Sequence, residues 1–226
     1  MQTSSPDLAE LAEIVRIPSP APLPQSLAYD GERLWVGSFE TARVYALDPR
    51  RGVVADEGAV PGKPIGSTAV GDELRFVVSE GGEADNRFIR RYVPGHGFKS
   101  REAIACPDDT GSFLAFDGTH LWLSQRYRKR VLELDANFAP TRTLEVGEEI
   151  IGLAWVDERL YLSLWLGRER GGCRIAYLEP GADAGPMLVA GSPFVAVSLA
   201  RDGERLWTND FRRNELVAFA LPRERG

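Results

Sequence analysis

Residues 26–35 read Ser26-Leu-Ala-Tyr-Asp-Gly-Glu-Arg-Leu-Trp35, and residues 198–207 read Ser198-Leu-Ala-Arg-Asp-Gly-Glu-Arg-Leu-Trp207. The two stretches are identical at nine of ten positions. Two more copies lie between them, Phe113-Leu-Ala-Phe-Asp-Gly-Thr-His-Leu-Trp122 and Gly152-Leu-Ala-Trp-Val-Asp-Glu-Arg-Leu-Tyr161. A weaker copy is Ser67-Thr-Ala-Val-Gly-Asp-Glu-Leu-Arg-Phe76. The copies begin at 26, 67, 113, 152 and 198, in steps of 41, 46, 39 and 46 residues. Steps of that size match one four-stranded propeller blade. The expected fold is therefore all-β, a five-bladed β-propeller.

The grammar inside each repeat agrees. Leu27-Ala-Tyr is a short apolar strand, and Asp30-Gly31 supplies a hairpin turn, since these residues tolerate a positive φ. Leu34-Trp-Val-Gly makes a second strand, Arg43-Val-Tyr-Ala-Leu a third, and Asp48-Pro49 ends it. Val53 and Val54 begin a fourth. The third-strand pattern recurs at Val131–Asp135 and Ile175–Glu179. Residues 7 to 14 are compatible with a short helix. After Leu216-Val-Ala-Phe-Ala-Leu221 the chain has no room for an outer strand in the last blade. Glu13-Ile-Val-Arg-Ile17, ahead of the first copy, can supply it and hide two open edges at once. Trp35, Phe76, Trp122, Tyr161 and Trp207 share one blade position and are expected to pack between adjacent blades.

Composition bounds the function. The 226 residues can bury a sizeable core and are read as a single domain, 1–226. Hydrophobic residues make 43% and charged residues 27%, as in ordinary globular proteins. A net charge of −6 gives no general footprint for nucleic acid. No apolar run reaches the roughly 20 residues that span a bilayer, so no membrane partner is expected. The polar, acidic N-terminus lacks the features of a secretory signal, and Cys106 and Cys173 stand apart in apolar stretches as buried thiols. The expected location is cytoplasmic.

Sites in propellers form at the mouth of the central channel, from the loops after each second strand and those entering each first strand. The loops after the second strands carry Ser38, Phe39 and Glu40; Glu80, Glu83, Asp85 and Asn86; Gln125, Arg126, Tyr127 and Arg128; Trp165, Arg168 and Arg170; Asn209, Asp210, Phe211 and Arg212. The entry loops add Gln25, Ser67, Glu148 and Glu149. Variable loops on a repeating scaffold are where function concentrates. The ligand-binding candidates are Gln25, Ser38, Gln125, Arg126, Trp165, Asn209 and Phe211. The loops together mix acids, arginines and aromatics, which suits a small polar molecule or a peptide. Motifs of nucleophilic, zinc-dependent or phosphate-cradling chemistry are missing, and His96 and His120 lie at turns. No aspartate-rich loop has the spacing of a calcium site, so neither a metal nor a cofactor is expected.

Gln25-Ser-Leu-Ala-Tyr-Asp-Gly-Glu-Arg-Leu-Trp-Val and Leu153-Ala-Trp-Val-Asp-Glu-Arg-Leu-Tyr-Leu-Ser-Leu-Trp165 resemble two motifs of the bacterial-type glutaminyl-peptide cyclotransferases. These motifs are Q-G-L-x-Y-D-G-x-L-Y and E-L-E-W-V-D-G-x-L-Y-A-N-V-W. The resemblance implies a five-bladed propeller in which Gln25, Trp155 and Trp165 occupy family positions. The motif's two glutamates fall at Gly152 and Ala154, and its asparagine at Ser163. If those glutamates move protons in the family, their loss costs about 10²–10⁴-fold in rate.

The leading expectation is thus a binding module, non-catalytic or weakly catalytic. An enzyme of the cyclotransferase, lactonase or lyase type is the alternative, with Glu80, Glu149 and Asp210 as candidate acids that converge on the channel. A protein-interaction scaffold is the third reading. It would use the arginines of 126–130 and 168–170 to meet a protein partner.

Overall fold

The computed structural model describes residues 8–81, 86–169, 171–182, 184–203 and 205–221, with the side chains of Ser100 and Arg101 left aside. Twenty strands make five four-stranded antiparallel sheets, arranged as a five-bladed β-propeller. The first strand, β1 (Glu13–Pro18), precedes the first repeat. Blade 1 is β2 (Pro24–Tyr29), β3 (Leu34–Ser38), β4 (Arg43–Leu47) and β5 (Val54–Ala59). Blade 2 is β6 (Lys63–Val70), β7 (Glu73–Glu80), β8 (Asn86–Val93) and β9 (Gly97–Ala105). Blade 3 is β10 (Leu114–Phe116), β11 (Leu121–Gln125), β12 (Arg130–Leu134) and β13 (Pro140–Glu145). Blade 4 is β14 (Ile150–Val156), β15 (Arg159–Trp165), β16 (Cys173–Leu178) and β17 (Met187–Ser192). Blade 5 joins β18 (Ala196–Asp202), β19 (Arg205–Asp210) and β20 (Glu215–Ala220) to β1, which pairs antiparallel with β20 through Val15↔Ala218 and Ile17↔Leu216. The ring therefore closes through the N-terminal strand, as the truncated last repeat predicts.

The expected helix over 7–14 does not form in its described part. Residues 8–12 run without regular structure, and Glu10 makes a parallel bridge with Gly191. The Leu11 N–H donates to the Gly191 carbonyl and the Gly191 N–H to the Ala9 carbonyl, so β17 takes up the backbone groups a helix would have paired internally.

The repeat Asp-Gly-x-x-Leu-Trp has a local cause. In blade 1, Asp30 Oδ1 accepts the N–H groups of Glu32 and Arg33, while Oδ2 accepts the Trp35 indole N–H at 2.6 Å. Asp117 does the same for Thr119, His120 and Trp122. Asp202 accepts the Trp207 indole N–H. One carboxylate thus serves as a turn cap and as a polar partner for a ring that is otherwise buried. Gly31 and Gly118 sit in these turns at φ +101° and +99°, where a side chain would be strained. Opposite each tryptophan stands an alanine, in the pairs Ala28↔Trp35, Ala115↔Trp122 and Ala200↔Trp207, which leaves room for the indole.

All five repeat aromatics are buried. Trp207 packs with Leu27, Leu34 and Leu47 of blade 1, and Trp35 packs with Leu74, Val78 and Tyr92 of blade 2. Phe76 is reversed in direction. It shares the cluster of Trp35 and lies edge-on to Tyr92 and Phe98. Blade 2 has a hairpin with only Gly71 and Asp72 between its strands, and Phe76 pairs with Ser67 where the other blades have alanine.

The turn carboxylates make stability pH-dependent. Burial alone would push the Asp117 carboxyl up, but the His120 N–H, the Trp122 indole and the Thr119 N–H together hold it below its ordinary 3.8. A carboxyl lowered in the folded state stabilises fully above its unfolded value, and that contribution is lost as the pH falls through the folded value. Asp117→Asn should therefore cost about 1 kcal/mol near neutral pH. In urea titrations from pH 6 downward, the gap between variant and parent should close below pH 3.8. A gap that stayed constant with pH would contradict this assignment.

Candidate functional site

Each inner strand begins at one end of the ring, and the second strand of each blade returns there. That end holds a cavity of about 310 Å³, near the small limit of ligand sites. The beginnings of the inner strands supply Gln25, Phe113, Ile151, Val195 and Val197 to its wall. The loops after the second strands supply Arg126, Trp165, Arg168, Phe211 and Arg212. Blades 1, 3, 4 and 5 contribute; no described residue of blade 2 does.

Four of the residues expected from the sequence meet there, namely Gln25, Arg126, Trp165 and Phe211. Arg126 lies 4.9 Å from the centre of the Trp165 ring and 5.2 Å from that of Tyr127. Its Nε and Nη2 both donate to Glu149 Oε2 at 3.0 Å. The Glu149 carbonyl accepts the Trp165 N–H at 2.9 Å. Glu149 thereby positions both the arginine and the tryptophan and stands behind the cavity wall.

The other expected residues are taken up by the scaffold. Ser38 is fully buried, donates to the Pro22 carbonyl and accepts the Thr41 N–H. Gln125 donates to the carbonyls of Pro107 and Thr110 and accepts from Arg130 Nε. Asn209 is an exception: it is enclosed, its Nδ2 reaches the Ser26 carbonyl only at 3.5 Å, and its Oδ1 has no hydrogen-bond partner among the described residues. Glu80 binds Arg90 through both oxygens, at 2.7 and 2.6 Å. Asp210 is buried and accepts Arg16 Nη1 at 2.9 Å. The three candidate acids thus answer to three different arginines. No acid is among the described residues that line the cavity. Glu83, Asp85 and Arg170 lie outside the described residues.

Sequence reasoning missed Phe113, Ile151, Val195 and Val197 because apolar residues at the start of a strand read as core. The signal was position: they flank the entry loops already singled out. Arg168 and Arg212 were visible as loop residues.

Trp155, carried over by resemblance, sits elsewhere. It stacks on Trp122 at 6.0 Å between ring centres and lines a second cavity of about 150 Å³, bounded by the inner strands of all five blades. Gly152, where the family motif has a glutamate, packs closely against blade 5. A Cβ there would lie 3.0 Å from the Ser198 carbonyl carbon and 3.1 Å from Leu199. Any larger residue at that position requires β18 to shift.

The two cysteines are buried and free, as expected. Burial pushes the Cys106 thiol up to about 12 and raises that of Cys173, so neither offers a thiolate at neutral pH. Among the described residues, no three histidine, cysteine or acidic side chains gather as a metal site. No helix in the described part is long and apolar enough to cross a membrane.

No family model matches this chain, nor does the sequence of any curated protein. Solved structures do match its fold. Glutaminyl cyclase from Myxococcus xanthus aligns over 94% of this chain and 98% of its own, with a TM-score of 0.70 at 12% identity. The PQQ-bound aldose sugar dehydrogenase of Streptomyces coelicolor aligns over 96% and 83%, with a TM-score of 0.60 at 16% identity. Regucalcin, a calcium-binding protein from Agrobacterium tumefaciens, aligns over 96% and 99%, with a TM-score of 0.59 at 10% identity. At these identities the likeness is one of fold, and it agrees with the resemblance read from the blade motifs.

Proposed function

We propose that this propeller binds a small polar molecule or a short peptide at the mouth of its channel, without catalysis or with weak catalysis. The observation that carries the reading is the cavity itself. It is lined by loop and strand-start residues from four blades, it combines an apolar wall with a few polar groups, and it takes in four independently expected residues. Solved neighbours of the same fold include enzymes and a calcium-binding protein, so the fold is compatible with such a role.

The enzyme reading has less support. Glu149, the candidate acid nearest the cavity, is occupied with Arg126. The scaffold reading is also weaker, because Arg128 and Arg130 both turn to Asp108, at 3.2 and 2.6 Å, and offer little free positive charge.

A thermal-shift screen of metabolites and short peptides tests the proposal. A ligand at 100 times its Kd stabilises by about 2.7 kcal/mol, which raises the Tm of a domain this size by roughly 5–10 °C. That rise should vanish in Trp165→Ala, whose ring is half-buried at the mouth and lines the cavity, with the parent and variant each compared with and without ligand because the ring also packs against the core. A screen without hits, or hits indifferent to Trp165→Ala, would count against the mouth as the binding site.

A further inference from the structure

The charged residues that line the cavity, among the described residues, are Arg126, Arg168 and Arg212. The whole chain carries −6, so this is a local reversal rather than a reflection of composition. Arg126 is held by Glu149, but Arg168 and Arg212 have no carboxylate within ion-pair distance among the described residues. Most arginines of this molecule do have one, among them Arg16, Arg43, Arg75, Arg90, Arg91 and Arg174, although Arg50 and Arg213 likewise form no ion pair among the described residues. Arg212 also borders a neighbouring cleft that contains Glu10, Glu13 and Asp210, of which Glu13 and Asp210 are bound by Arg16. Gln25, the remaining polar group of the wall, has no protein hydrogen-bond partner among the described residues.

We infer that the mouth takes an organic anion, a carboxylate or phosphate group carried on a flat or apolar body. The inference rests on the mouth being the binding site, as proposed above. Two unpaired guanidinium groups beside a third give planar, multidentate donors that match carboxylate or phosphate oxygens. Phe113, Ile151, Val197, Phe211 and the Trp165 ring offer the apolar complement. Gln25 can donate to or accept from a polar substituent. A neutral polar ligand would leave the arginines without a counter-charge, and a cationic one would also meet like charge at the entrance. Cationic residues around a small opening also raise the local concentration of anions and speed their capture.

The test follows the five tryptophan indole N–H signals by NMR at fixed ionic strength, with the Trp165 signal assigned by Trp165→Phe. The probes share one ring: benzoate, phenyl phosphate, neutral benzamide and cationic benzamidine. Benzoate or phenyl phosphate should shift the Trp165 signal, with benzamide at least about tenfold weaker and benzamidine weaker still. The double change Arg168→Gln with Arg212→Gln should weaken anion binding by about tenfold or more. It should leave the Tm nearly unchanged, since both side chains are exposed. Benzamide or benzamidine binding at the mouth as tightly as the anions would overturn the charge assignment while leaving the mouth as a binding site. Unaltered anion affinity in the double variant would overturn it too. If none of the four probes moves the Trp165 signal, the mouth reading fails together with this one.

Discussion

A chain lacking residues 1–18 should lose about 4–6 kcal/mol of stability and associate in solution. Three losses add up. Val15 and Ile17 leave the cluster around Trp207, at about 1 kcal/mol each for half-buried aliphatic side chains. The β20 edge loses its partner and presents unpaired backbone groups to other chains. Arg16, which donates to Asp210, Glu215 and Glu13, leaves the buried Asp210 without its cation. Removing one member of a buried pair is worth about 3–5 kcal/mol, and the exposed rim of this network discounts that figure. Against a typical total of roughly 5–15 kcal/mol, the truncated chain sits near the threshold of folding. Urea unfolding and size-exclusion chromatography measure both effects. A truncated chain that stays monomeric with an unchanged midpoint would show that β1 is an accessory, not the closing strand.

Trp207→Ala should cost about 3–5 kcal/mol, because it empties a fully buried site where the last blade meets the first. Trp207→Phe should cost less, about 1–2 kcal/mol. It keeps most of the apolar volume but leaves Asp202 without the indole N–H, at 2.7 Å in the parent. Asp202 retains Arg205, which limits the penalty. The ranking matters more than the absolute values. If Phe were as damaging as Ala, the hydrogen bond to the turn aspartate would dominate and the packing account would be wrong.

The blades were legible because one local device recurs. An aspartate that caps a turn and also binds the indole five residues on must keep its spacing, so the spacing shows in the sequence. The closing strand was legible from what the last repeat lacks. The direction of Phe76 traces to this copy being one residue shorter than the others, because a shift of one residue turns a strand side chain to the opposite face.

The candidate site was half legible. Polar residues in the right loops include those that meet a ligand and those that satisfy buried backbone. Ser38 and Gln125 belong to the second kind, a demand that any buried turn makes. A sequence gives no means to separate the two, because both tasks call for the same donors and acceptors. The partners of the acids were hidden for a related reason: Glu80, Glu149 and Asp210 each have an arginine close in space but distant in the chain, by 10, 23 and 194 positions.

The most direct test of the central claim is a crystal structure with the best thermal-shift hit bound. The account predicts ligand density between Arg126, Trp165 and Phe211, with Arg168 or Arg212 turned toward it. Density instead in the cleft bounded by Arg16 and Phe194, or on the outer strands of the blades, would contradict it.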